Sequence, residues 1–328
     1  MTLTKRVARK LQTLWRHVFP RAQAFCVETV GRARLAYDPQ YPAFVREYYL
    51  YCVALFRETL AVRDAPVNLL FGDSEVDCGN ANRTRRIDVQ WEHTLVMPGG
   101  RDSDGAPTGA VPLPDGQGHY LARVVNRAVV ESADVIIDYS RPNVENLRRA
   151  GGFDAYLAKT IVLAPLLYDT DVTTGTRRRD AITLFGDVAQ PRRAAFLEAA
   201  HTARLSLVNV SGVYAGAALC RLYRDTRVLV NVHQTGQHHT FEELRVLPAL
   251  LCGVVVVSED VPLRESIAYH PFVVWARYGE LADTVRAVLA DYAAYRERIF
   301  GDGRFEAVVE RMRRDNRDAV KTALQRLW

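Results

Sequence analysis

Residues 227–270 read RVLVNVHQTGQHHTFEELRVLPALLCGVVVVSEDVPLRESIAYH, and the fold turns on this stretch. Val228-Leu229-Val230-Asn231-Val232 is a short apolar run of the kind buried on both faces of a parallel sheet. A polar loop follows, His233-Gln234-Thr235-Gly236-Gln237-His238-His239. Thr240-Phe241-Glu242-Glu243 has the spacing of a capping box, with Thr240 at the N-cap and Glu243 reaching back from the third helical position. Phe241, Leu244, Leu247 and Leu251 recur at helical spacing, and Gly253 stands where a C′ glycine ends a helix. Val254-Val255-Val256-Val257 is a second buried strand. The pattern predicts a βαβ unit whose loop, rich in histidine and hydroxyl groups, opens on a helix N-terminus. An anion fits there, because the first turn's unpaired N–H groups and the helix dipole both face it.

The same alternation extends in both directions. After a polar linker, Tyr168 to Arg179, strands are expected at Ile182–Phe185 and Leu205–Val210, with helices starting at Pro191 and Ala215. Phe272–Trp275 reads as a last strand, and two helices, Leu281–Phe300 and Phe305–Leu327, finish the chain. Upstream, strands are expected at Val67–Asp73, Ile87–Val96, Asp134–Tyr139 and Thr160–Leu163. A helix is expected at His119–Ser132, and another after Ser140, ended by Gly151-Gly152. Pro98 to Gly118 is dense in Gly, Pro and Asp and reads as a long loop. Residues 1–62 read as helices. The fold class expected is therefore α/β, with two Rossmann-like domains, a helical N-terminal extension (1–62), a first domain at 63–170, and a second at 178–328 that includes the terminal helices.

Composition narrows the class. With 328 residues, 48% hydrophobic and 25% charged, the chain has the length for two ordinary globular domains. A net charge of +5 with no basic run interleaved with aromatics gives no nucleic-acid footprint. The five cysteines, at 26, 52, 78, 220 and 252, form no CxxC pair, and reduced thiols in a cytoplasmic protein are expected. No apolar run reaches the length of a membrane helix. Val7, Leu11, Leu14 and Val18 form one stripe of an N-terminal helix whose other face carries Lys5, Arg6, Arg9, Lys10 and Arg16. Packing on the first domain is the favoured reading; peripheral contact with an anionic membrane is the second.

At HHTFEELRVLPALLCGVVVVSEDVPLRE, residues 238–265, the chain resembles the donor-binding segment of GT-B glycosyltransferases, notably uncharacterised ones of large DNA viruses and bacteria. The resemblance runs from about Arg179 to Ile299. It implies a nucleotide-sugar (UDP-, GDP- or dTDP-linked) held between two Rossmann-like domains, a glycan, lipid or protein-linked acceptor, no metal or other cofactor, and action in a cytoplasm, for a viral protein that of the host. One departure matters: Thr240 and Pro248 stand where family 4 enzymes often carry two glutamates eight positions apart. The ribose-binding glutamate is therefore not carried over, and retention of configuration is not implied.

Candidate residues follow. Gly186 to Arg193 resembles the first loop of the family's second domain, where a basic residue often meets the diphosphate; Gly186, Arg192 and Arg193 are its candidates. Asn231, His233, Gln234, His238, His239, Thr240, Phe241, Glu242 and Glu243 are the donor candidates of the central loop, with Arg245 an alternative ion-pair partner for the two glutamates. Glycosyl transfer through an oxocarbenium-like state with inversion needs a base for the acceptor hydroxyl, and Asp73, Glu75, Glu92, His93 and Asp138 are expected to face the cleft. Asp138 has a simpler role open to it, capping the next helix. Two rivals stand beside this reading. Asp102-Ser103-Asp104 and Asp169-Thr170-Asp171 match the DxD pattern of metal-dependent GT-A transferases. A non-catalytic nucleotide- or glycan-binding protein on the same fold is the other.

Overall fold

The computed structural model describes residues 25–41, 45–72, 76–92, 94–97, 110–112, 121–125, 127–173, 177–237 and 239–327. In chain order the strands are β1 (Cys26–Val30), β2 (Ala33–Tyr37), β3 (Asn68–Phe71), β4 (Thr84–Gln90), β5 (Leu95–Val96), β6 (Ala110–Pro112), β7 (Leu121–Arg123), β8 (Val135–Asp138), β9 (Thr160–Val162), β10 (Arg179–Thr183), β11 (Leu207–Asn209), β12 (Thr226–Asn231), β13 (Val255–Glu259) and β14 (Val273–Ala276). They form two main sheets, ordered β1-β2-β3-β4-β8-β9 and β11-β10-β12-β13-β14, and a small antiparallel one, β5-β7-β6. The second main sheet is parallel throughout, and in the first only β1 runs antiparallel to its neighbour. The molecule is thus a mixed α/β protein built on two parallel sheets.

Each sheet has its own core. Val228, Leu229 and Val230 of β12 and Val255, Val256 and Val257 of β13 are fully buried, as their unbroken apolar runs require. Helix Glu243–Leu251 and helix Leu281–Ala290 pack on this sheet through Val246, Leu247, Leu250, Val285 and Val288. Helix Arg46–Arg63 lays Tyr48, Cys52, Phe56 and Leu60 on the first sheet.

Gly253 ends helix Glu243–Leu251 as its position predicts. With φ +68°, it lets its own N–H reach Leu250 O and Val254 N–H reach Ala249 O, the two bonds of a Schellman motif. A Cβ there would lie 2.7 Å from Arg177 Nη2 and 3.0 Å from Val172 Cα. Gly253→Ala is expected to cost about 2 kcal/mol or more, read as a lower urea midpoint; a midpoint equal to wild type would refute this.

Three expectations change. Residues 26–37 are a hairpin, not helix. Gly31 turns it at φ +57°, and β2 pairs in parallel with β3, so the hairpin belongs to the first sheet. The β-branched Val27, Thr29 and Val30 beside that glycine were the signal. His119–Ser132 is not one helix, because Leu121–Arg123 pairs with β5 and β6 and only Arg127–Glu131 is helical. The capping box does not form. Thr240 Oγ1 instead accepts the Leu95 N–H at 2.9 Å, and Glu243 accepts from Tyr269 Oη at 2.9 Å.

The two halves are joined by specific contacts. Met97 N–H donates to Gln237 O and His239 N–H to Leu95 O, a short backbone ladder across the seam. Glu47 accepts from the Gly216 N–H, capping a helix of the other half. Helix Arg304–Gln325 spans both cores: Phe305, Val309 and Met312 enter the second, while Val320, Ala323 and Leu324 enter the first. At the crossing, Asn316 Oδ1 accepts the Ala164 N–H, and its Nδ2 donates to Ala164 O and to Tyr51 Oη. The basic stripe of residues 5–18 lies outside the described residues, and no described helix is long and apolar enough to cross a membrane.

Candidate functional site

Parallel strands place their carboxyl ends, and whatever follows them, along one edge of a sheet. Here the two main sheets bring those edges together. A cavity of about 360 Å³ lies between them. Trp91 and Glu92 follow β4, Tyr139 follows β8, Leu184 follows β10 and Gln234 follows β12. Tyr214, Arg193, Glu242 and Arg245 belong to the second half's wall, with Leu219, Tyr223 and Leu244. The volume falls in the range of about 300–1,000 Å³ typical of small-ligand sites.

Arg193 is the unusual group in this wall. Pro191 opens its helix (Pro191–Thr202) at the first position, as a fixed φ and missing N–H favour. Arg193 is 5% exposed, its guanidinium stacks 4.7 Å from the Phe185 ring centre, and it forms no ion pair or hydrogen bond among the described residues. Burial lowers its pKa, and the nearby Glu242 only partly opposes that. Arg192 faces elsewhere. Adjacent helical residues point about 100° apart, and Arg192 pairs with Glu259 and lies 3.8 Å from the Tyr278 ring centre. Of the two arginines predicted for the diphosphate, one lines the cavity.

The central loop divides the same way. Gln234 and Glu242 line the cavity, and Arg245 pairs with Glu242 while donating to Asn231 Oδ1 at 3.1 Å. Asn231 is wholly buried and holds Ser258 Oγ at 3.1 Å, so its part is to fix Arg245. His233 is 2% exposed, donates its N–H to Glu259 and stacks on His239 at 5.5 Å; His239 Nε2 lies 3.1 Å from Gly236 O, and burial lowers its pKa. These rings shape the loop and do not line the cavity. Phe241 is in the core, packed 4.9 Å from Trp275. Thr240 and Glu243 are engaged in the contacts given above. Gly186 sits beside Tyr214, whose Oη would be 3.3 Å from an added Cβ. His238 lies outside the described residues.

Of the base candidates, Asp73, Glu75 and His93 lie outside the described residues. Asp138 is engaged within the first half. It is wholly buried, its Oδ1 accepts Ser140 N–H and Asn143 Nδ2 at 2.9 Å each, and it does not line the cavity. Burial pushes its carboxyl up to about 7, against the lowering effect of Asn143 and the Ser140 N–H. These bonds shape the turn into the helix Arg141–Ala150. Glu92 is the carboxylate that the first half presents to the cavity, with Arg123 at 3.3 Å. Of the DxD pairs, Asp102 and Asp104 lie outside the described residues. Asp171 is used internally, accepting from Thr173 and pairing with Arg224 at 3.3 Å.

Sequence reading missed Trp91, Tyr139 and Tyr214. The first two immediately follow parallel strands, and that position was the available signal. Among the described residues no cluster of three His, Cys, Asp or Glu is arranged to hold a metal.

No family model matches the chain. Over 178 residues it is 26% identical to an uncharacterized protein of Acanthamoeba polyphaga mimivirus, a match covering 51% of this chain and 57% of that protein. Among solved structures it is similar to a variant of S. aureus TarM in complex with fondaparinux, alpha-GlcNAc-glycerol and UDP, with a TM-score of 0.46 and 10% identity over 81% of this chain and 58% of that one. It is also similar to the glycotransferase of kitacinnamycin (TM-score 0.34, 13% identity, 88% and 83% covered) and to CalG4, the calicheamicin glycosyltransferase (0.34, 15%, 85% and 81%). The chain thus spans somewhat more than half the length of the mimivirus protein and of TarM.

Proposed function

We propose that the chain transfers a sugar from a nucleotide-sugar donor to an acceptor, and that the donor diphosphate sits against Arg193. The carrying observation is a buried guanidinium with no carboxylate of its own in the wall of a cleft between two parallel sheets. Holding an unpaired charge out of water costs several kcal/mol, and a phosphate entering the cleft offsets that cost through the planar, bidentate geometry that arginine offers.

The chemistry follows from the two walls. As the glycosidic bond to the diphosphate breaks, negative charge grows on the leaving oxygen, and Arg193 with Arg245 stabilises it in place of a metal. Glu92, opposite, takes the proton of the attacking acceptor hydroxyl, which favours inversion. UDP, GDP or dTDP is the nucleotide, and a glycan, lipid-linked or protein-linked hydroxyl the acceptor. The reaction belongs in a cytoplasm, and two domains are its mechanical basis.

Thermal unfolding with UDP-, GDP-, dTDP- and CMP-sugars, each with and without EDTA, tests the reading. A donor at a hundred times its dissociation constant adds about 2.7 kcal/mol, a shift of several degrees. A shift with one nucleotide that survives EDTA is expected. A shift abolished by EDTA overturns metal independence. No shift with any donor overturns the donor site. Release of free nucleotide on adding glycan acceptors separates a transferase from a binding protein.

A further inference from the structure

Cys220 and Cys252 stand 32 positions apart in the chain and meet inside the second half, with their sulfurs 3.9 Å apart. Cys220 lies on helix Gly216–Arg224, and Cys252 caps the C-terminus of helix Glu243–Leu251. None of the other three thiols, Cys26, Cys52 and Cys78, is hydrogen-bonded to a second thiol among the described residues. At van der Waals contact the pair is about 2 Å short of a disulfide bond, so closing it asks for side-chain rotation and a small helix shift.

The two thiols differ in access. Cys252 is wholly buried, whereas Cys220 is half-buried. Burial and the adjacent Cys220 push the Cys252 thiol up, against the lowering effect of Arg224 and Arg177. Arg224 follows Cys220 by one helical turn and pairs with Asp171 at 3.3 Å, and Arg177 Nη2 donates to Cys252 O at 2.8 Å. A small oxidant therefore meets Cys220 first, and Cys252 stands behind it as the second thiol.

The same two helices supply part of the main cavity's wall. Leu219 and Tyr223 come from one, Leu244 and Arg245 from the other. Tyr223 Oη donates to Arg245 O at 3.2 Å, a noncovalent tie between them. A bond between the sulfurs would add a covalent one.

We infer that Cys220 and Cys252 form a modification site, a thiol pair that a hydroperoxide converts into a reversible disulfide clamping these helices together. The inference stands apart from the transferase reading, because it needs neither donor nor acceptor. Cys220 Sγ attacks a peroxide oxygen: the S–O bond forms, the O–O bond breaks, and the departing hydroxide takes the thiol proton to become water. Cys252 Sγ then attacks Cys220 Sγ. The S–S bond forms as the S–O bond breaks, and the second hydroxide leaves as water with the Cys252 proton. Two thiols have lost two electrons and the peroxide has gained them. Glutathione reopens the bridge by two exchange steps and is itself oxidised to its disulfide.

The full chain, reduced and freed of reductant, is treated with a small excess of hydrogen peroxide. Thiol counting in urea is expected to fall from five to three, and peptide mapping to find Cys220 linked to Cys252. Dithiothreitol should reverse both. The oxidised protein should melt several degrees higher, because the bridge closes a loop of about thirty residues in the unfolded chain. Cys252→Ala should stop at a Cys220 sulfenic acid that dimedone captures, and Cys220→Ala should leave the buried Cys252 unmodified. Five thiols remaining after peroxide, a different linked pair, or Cys220 carried to sulfinic acid with no linked peptide overturns the inference. Oxidation of Cys252 in Cys220→Ala as fast as that of Cys220 in the wild type overturns the order of attack. An oxidised chain that melts below the reduced one overturns the clamp.

Discussion

Replacing Arg193 by methionine is expected to weaken nucleotide-sugar binding about a hundredfold, the loss of one or two charge-assisted hydrogen bonds at about 1.5–3 kcal/mol each. Methionine retains an unbranched stem against Phe185 and removes the charge. The free protein should therefore melt at or above the wild-type temperature, because the variant no longer buries an unpaired cation. That pair of results, lost binding with unharmed folding, separates a ligand-binding arginine from a structural one. The free nucleoside supplies a further control: lacking phosphate, it should bind variant and wild type alike. Lysine at the same place should recover part of the affinity as a point charge without the fork. Arg192→Met should behave differently, destabilising the fold by exposing Glu259 to an uncompensated burial. Donor affinity unchanged in Arg193→Met would refute the proposed donor site.

Stability is expected to fall as pH rises from about 5 to 8, the reverse of the usual acid denaturation. Two carboxyls at the seam between the halves cause this. Burial raises Asp138 from 3.8 to about 7, and burial raises Glu243 from 4.5 to about 7 despite the hydrogen bond from Tyr269. The charge of Asp138 also raises Glu243, and Tyr139, Tyr269 and Arg141 face the same cluster. Below the unfolded pKa both are protonated in either state and cost nothing. Above it the unfolded chain has released protons that the folded chain still holds, so stability declines through the folded pKa and then levels off. For Asp138 the shift bounds the effect at roughly 4 kcal/mol.

Carboxylates with lowered pKa, such as Glu28, Glu145, Asp171 and Asp225, act in the opposite direction in a more acidic window. The stability maximum is therefore expected near pH 5. Asp138→Asn retains the oxygen that accepts from Ser140 and Asn143, so it should flatten the decline by about half and raise stability at pH 8. Glu243→Gln should act similarly. Urea midpoints at pH 5, 6, 7 and 8 measure both. An Asp138→Asn curve parallel to wild type would sink the assignment, and a large loss of turnover in that variant would restore Asp138 as a base.

Much of the architecture could be read from local pattern. The runs at 228–232 and 254–257 are too apolar for any place but the centre of a parallel sheet, and they form β12 and β13. Gly253 ends its helix because only a residue free of a Cβ accepts φ +68° against Arg177 and Val172. Pro191 begins a helix for an equally local reason. The hairpin at 26–37 was harder, because its five-residue strands have meaning only once β2 finds β3 more than thirty residues away.

The site was legible only in outline. That a loop after β12 and a helix start after β10 would meet a ligand follows from strand direction, which the alternation already implies. Which side chains do so depends on the facing half. Thr240 and Glu243 have a capping-box spacing, yet Thr240 is claimed by Leu95, 145 residues away, and Glu243 by Tyr269. Arg192 and Arg193 are indistinguishable in sequence; Glu259 draws one aside and leaves the other buried against Phe185. Asp138, at a strand end, was expected to face the cleft or to cap the next helix, and it is wholly buried. The sequence by itself determined the periodicities, the strand directions and the edge where a ligand would gather, because these depend on neighbours along the chain. Partners, charge balance and burial in the cleft were decided by the tertiary structure, since a side chain's environment is set by what packs against it from segments far away in sequence.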